Sequence, residues 1–112
     1  LGLDFLKHIE RTRVLLHVVD LDPMDGSDPV LNVRAIEKEL REYSEPLSQR
    51  PSLIAGNKAD LPGADANYRR LTDAYGEQRC VRISGATREG LDALLRRLSA
   101  MVEGAVAAPD SW

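Results

Sequence analysis

Ser52-Leu53-Ile54-Ala55-Gly56-Asn57-Lys58-Ala59-Asp60 is the stretch on which the fold turns. Its first five residues are small or apolar and follow Pro51, the composition of a short strand buried inside a sheet. The next four are polar or small and begin with no turn residue between, so they sit where that strand ends. A buried strand whose carboxyl end passes straight into polar side chains is how open α/β sheets build ligand sites.

Upstream, Val14 to Val19 is apolar apart from His17 and rich in β-branched residues, which predicts a strand buried on both faces and ended by Asp20. Asp22-Pro23-Met24-Asp25-Gly26-Ser27 is turn chemistry, and Asp28-Pro29 supplies a helix cap followed by proline at the first helical position. Val30, Val33, Ile36, Leu40 and Tyr43 then form one apolar stripe, with Arg34, Glu37, Lys38 and Arg41 opposite. Pro46 and Pro51 bracket the exit from that helix.

Downstream, Leu61-Pro62-Gly63 reads as a loop, and a helix with Tyr68, Leu71 and Tyr75 on one side starts near Asp65 and stops at Gly76. Cys80-Val81-Arg82-Ile83 is a third strand and Ser84-Gly85-Ala86-Thr87 its loop. Leu91, Leu94, Leu95, Leu98, Met101 and Val102 make the strongest helical stripe in the chain. Residues 105–112, rich in alanine and ending in Pro109-Asp110-Ser111-Trp112, read as a frayed tail to a single unit over 1–104. Alternating strands and helices predict an α/β fold with three parallel strands joined by right-handed crossovers. Asp20 to Asp22, Asn57 to Asp60 and Ser84 to Ala86 then fall on one edge of the sheet.

The 112 residues suffice for one modest core, and 43% hydrophobic with 29% charged residues is the balance of a globular chain rather than a disordered one. No apolar run reaches the roughly 20 residues of a membrane helix, and the first residues lack a basic secretory start, which predicts a cytoplasmic protein. The single cysteine, Cys80, rules out an internal disulfide and fits a reducing compartment. A net charge of −3 disfavours direct DNA binding; the pairs Arg11 with Arg13, Arg69 with Arg70, and Arg96 with Arg97 read as solvated faces. Leu1 to Arg11 suggests an uncapped amphipathic helix, and a chain opening so before a sheet with two open edges reads as part of a longer sequence.

Asn57-Lys58-Ala59-Asp60 matches the Asn-Lys-x-Asp guanine-recognition motif of regulatory and translational GTPases, in sequence and in its place after a buried strand. Four residues alone are as well read as a polar loop; their position is what weighs. The guanine edge offers an N1 hydrogen and an amino group, and the Asp60 carboxylate can accept both, whereas adenine cannot satisfy it. The apolar stem of Lys58 can cover the flat base while its ammonium stays near solvent or the ribose. In such GTPases the asparagine, here Asn57, braces this loop against the phosphate loop. Ser84-Gly85-Ala86 stands where they carry Ser-Ala-x, whose backbone N–H groups meet the guanine carbonyl. Gly85 departs from the alanine but keeps a main-chain donor.

Gly2-Leu3-Asp4-Phe5-Leu6-Lys7-His8-Ile9-Glu10-Arg11-Thr12, followed by Val14 to Asp20, resembles Obg proteins between the second switch helix and the next strand. The resemblance continues through Asp25-Gly26-Ser27-Asp28-Pro29 to about Glu103. It implies the C-terminal half of a three-layer P-loop GTPase domain. The same likeness implies GTP or GDP as ligand, Mg²⁺ in the complete domain, the large ribosomal subunit as partner and ribosome assembly as setting. The sequence holds no Gly-x-x-x-x-Gly-Lys-Ser/Thr, no Asp-x-x-Gly before the switch helix and no first-switch threonine, so this chain alone is not expected to hydrolyse GTP. The alternative is a non-enzymatic interaction module on a GTPase-derived scaffold; a flavodoxin-like domain is disfavoured by Asn57 to Asp60. His8 and His17 read as surface or structural residues, since two histidines without cysteines make no metal site. Asp22, Asp25 and Asp28 lack the glycine and glutamate of a calcium loop and read as turn and cap residues.

Overall fold

The computed structural model describes residues 14–107, so the expected helix over Leu1 to Arg11, and His8 with it, lie outside the described residues. Strand β1 (Leu15–Asp20) leads to helix α1 (Pro29–Tyr43) and a single turn α2 (Glu45–Ser48). Strand β2 (Ser52–Asn57), helix α3 (Ala64–Tyr75), a 3₁₀ turn (Glu77–Arg79), strand β3 (Cys80–Arg82) and helix α4 (Leu91–Ala107) follow. The strands are parallel in the order β1-β2-β3, with Leu15 to Asp20 level with Ser52 to Asn57 and Ile54 to Gly56 level with Cys80 to Arg82. This is the α/β fold with flanking helices that the sequence predicts, consistent with part of a P-loop GTPase domain.

Local chemistry sets the ends. The Asp28 carboxylate accepts from the Val30 N–H at 2.9 Å and Pro29 fills the first helical position, so α1 starts where the cap predicts. Gly76, with φ of 91°, closes α3. Gly90 leads into α4 with φ of 78°, and any Cβ there would lie 2.0 Å from the Arg82 carbonyl oxygen, so only glycine lets α4 approach the end of β3. α4 runs to Ala107, helical for three residues into the segment read as a tail; 108–112 lie outside the described residues.

The core has two sides. Val30 and Val33 of α1 and Ala64 and Leu71 of α3 pack with Val19, Leu21, Ile54 and Cys80 on one face of the sheet. Leu94 of α4, with Leu91, Leu98 and Met101, packs on Leu53, Ala55, Val81 and Ile83 on the other. Burial of β1 on both faces, expected from its composition, is corrected: Leu15, His17 and Val19 are buried, but Leu16 and Val18 are 41% and 57% exposed. They stand level with Leu53 and Ala55, on the face that α4 covers over β2 and β3 but not over β1. The stripes are narrower than expected too: Ile36 of α1 and Leu95 and Val102 of α4 are exposed.

Candidate functional site

Parallel pairing places the ends of β1 and β2 side by side: Asp20 is level with Asn57, and the Leu21 N–H donates to the Asn57 carbonyl at 2.9 Å. From there the chain turns sharply. Lys58 adopts φ of 70°, a left-handed backbone that costs a side-chain-bearing residue about 1–2 kcal/mol. Three bonds hold it: Lys58 N–H to Asn57 Oδ1 (2.8 Å), Leu61 N–H to the Lys58 carbonyl (3.0 Å) and Ala59 N–H to the Ile83 carbonyl (3.0 Å). The last ties this loop to the end of β3.

The β3 loop joins the same cluster. Ser84, fully buried, donates its Oγ hydrogen to Asp60 Oδ1 at 2.8 Å and accepts the Thr87 N–H at 3.1 Å. Asn57 Oδ1 also accepts the Gly85 N–H at 3.0 Å, so one side-chain oxygen stitches both loops. Asn57, Lys58, Asp60, Ser84, Gly85 and Ala86, all six residues singled out in the sequence, line one open cleft of about 290 Å³ together with Leu61. That is close to the ~300 Å³ lower end of small-molecule sites.

The polar capacity of this cleft is specific. Ser84 donates to one carboxylate oxygen of Asp60, and a carboxylate with two oxygens keeps further acceptor capacity beyond that bond. Of the three main-chain donors in Ser84-Gly85-Ala86, the Ser84 N–H is taken by the Glu89 carbonyl and the Gly85 N–H by Asn57. The Ala86 N–H has no partner among the described residues. The cleft therefore offers a carboxylate acceptor beside a main-chain donor, the complement of a ligand edge that presents adjacent N–H groups and a carbonyl.

Two residues went unassigned in the sequence reading. Asp20 binds the Lys58 ammonium at 2.7 Å through Oδ2, while its Oδ1 accepts the Asp22 N–H at 2.9 Å. The Asp20 hydrogen bond, reinforced by its charge, holds the Lys58 ammonium above the usual lysine range. Leu61 adds an apolar wall. A proximity signal for Asp20 did exist in the sequence, since both strands end together, but nothing marked it as Lys58's partner.

A larger hollow of about 630 Å³ lies at the other end of the sheet, bordered by His17, Glu37, Arg41 and Arg79. It contains no motif residue, and two of its charged groups are already engaged: Glu37 accepts from Tyr75 Oη at 2.7 Å and stands 3.9 Å from Arg79, which donates to Ser52 Oγ at 2.6 Å. The smaller cleft is the one lined by the motif residues. Burial lowers the His17 pKa, consistent with a structural imidazole, and raises that of the buried Cys80 thiol. Asp28 spends its carboxylate on the α1 cap and an ion pair with Arg70, and Asp25 on the Ser27 N–H, as turn and cap residues do.

No family model matches the chain. Curated relatives do: it is 54% identical over 101 residues to the GTPase Obg of Roseiflexus castenholzii, an alignment covering 88% of this chain and 23% of that protein. It is 51% identical over 104 residues to the GTPase Obg of Desulforudis audaxviator, covering 92% and 24%. The chain belongs to the Obg family. It spans about a quarter of the length of these Obg relatives, and the match includes the strands and loops that form the cleft. Among the described residues of this Obg segment there is no group of three His, Cys, Asp or Glu side chains able to hold a metal.

Proposed function

We propose that this chain is the guanine-recognising half of an Obg-type GTPase domain. The observation that carries the reading is the Asp60 carboxylate, fixed by Ser84 and opening onto a cleft lined by Asn57, Lys58, Gly85 and Ala86. Asp60 accepts from guanine N1 and the exocyclic amino group, the Ala86 N–H meets the guanine carbonyl, and the Lys58 stem covers the base face. The phosphate loop, switch residues and Mg²⁺ ligands come from sequence preceding this segment, which supplies GTP hydrolysis. The complete protein works in the cytoplasm on the large ribosomal subunit, a setting supported by family resemblance alone.

Asp60→Asn in the full-length protein tests the base assignment. Xanthine presents a carbonyl where guanine presents its amino group, so the asparagine amide suits xanthine and leaves guanine mismatched. Each lost hydrogen bond to a charged group costs about 1.5–3 kcal/mol, so GDP affinity falls at least ~100-fold while XDP binding improves. An amide at 60 can still accept from Ser84, which keeps the loop in place. Competition between GDP and XDP reads the switch, and an undiminished GDP preference in the folded variant refutes the assignment. The segment alone, holding base contacts without the phosphate cradle, should bind GTP weakly and hydrolyse none.

A further inference from the structure

Lys58 is the least settled residue of the cleft by its own chemistry: a long flexible chain on a left-handed backbone, with its ammonium partly open to solvent. Left to itself, such a side chain samples many rotamers and must be ordered when a base arrives. It is not left to itself. Asp20 Oδ2 stands 2.7 Å from the ammonium, and Asp20 is aimed in turn by the Asp22 N–H on its other oxygen and by the register that sets it beside Asn57.

We propose that Asp20 is a positioning residue for base recognition, which anchors the Lys58 ammonium so that the lysine stem already forms one wall of the cleft before nucleotide binds. The inference rests on the guanine reading above and adds to it a residue from β1 that touches no part of the base. Its action runs through Lys58 alone. The carboxylate contributes a charge that an amide lacks, whereas the turn it caps needs only an acceptor oxygen. Asparagine at this position therefore separates the two roles.

The test uses the full-length protein, titrated with fluorescent GDP, in four forms: wild type, Asp20→Asn, Lys58→Met and the double variant. Asp20→Asn keeps the acceptor for Asp22 and should leave the melting temperature of the nucleotide-free protein unchanged. It should weaken GDP about 3- to 10-fold, the span expected when one long side chain must be ordered on binding. Lys58→Met keeps an apolar stem without an ammonium, so adding Asp20→Asn to it should cause no further loss. Asp20→Glu, which retains the carboxylate, should recover part of the affinity. Losses that add in the double variant, or wild-type affinity in Asp20→Asn, would overturn the positioning role while leaving guanine recognition intact. A wild-type protein that binds no GDP would instead sink the guanine reading and this inference with it.

Discussion

On one face of the sheet, α1 and α3 close over Val19, Ile54 and Cys80; on the other, α4 closes over Leu53, Ala55, Val81 and Ile83 but leaves Leu16 and Val18 of β1 in solvent. Val18 and Ala55 are level neighbours on the same face, yet one is 57% exposed and the other fully buried. Which side chains become core is thus decided by where a helix crosses the sheet, and residue type only makes burial possible.

Substitutions on the two sides should sharpen that contrast. Ile54→Ala, at a fully buried position of the double-helix face, should cost about 2–5 kcal/mol by urea unfolding, because the packed surroundings cannot collapse into the space. A cost below that of Val18→Ala would break the comparison. Gly56→Ala should cost about 1–3 kcal/mol, since its Cβ would sit 2.7 Å from Leu21 Cδ2 and that side chain is locked in the core.

The pH response of the same face has a definite sign. Burial lowers the folded-state pKa of His17 below its unfolded value of 6.5, so below that pH the unfolded chain binds the extra proton. The His17 contribution to stability is complete above pH 6.5 and declines as pH falls towards the lowered folded value. Unfolding free energies at several pH values should show this slope in wild type and a shallower one in His17→Gln; identical slopes would dismiss His17 as its source. Smallest of all, Val18→Thr on the open face should change stability by no more than ~0.5 kcal/mol, and a larger loss would mean that this surface is covered in solution.

Much of this architecture could be read from the residues. Asp28-Pro29 and Gly76 carry their own backbone instructions, so the start of α1 and the end of α3 agree with the sequence to within a residue or two. The six cleft residues are brought together because parallel strands must end on one edge, a consequence of topology that follows from three short apolar runs. What stayed hidden depends on contacts between distant residues. Leu16 and Val18 look as buried as Leu15 and Val19 until the crossing of α4 is known. The α2 turn rests on Ser44 capping the Leu47 N–H, a local signal masked by the prolines around it. The GTPase likeness implies that the Asn57 amide braces a phosphate loop, and the bond its oxygen accepts from Gly85, 28 residues away, has no signature in either motif.

Every strand pairing among the described residues runs through β2, which has β1 on one side and β3 on the other. Neither outer strand can be held in the sheet without it. Amide protons of this central strand should therefore be released to exchange only when the whole unit opens, whereas those of α2 and the β1–α1 loop escape through local fraying. Because Asn57 ends that strand and Lys58 follows it directly, the loop that lines the cleft is grafted onto the slowest-opening part of the molecule, and its geometry should persist as long as any cooperative structure does.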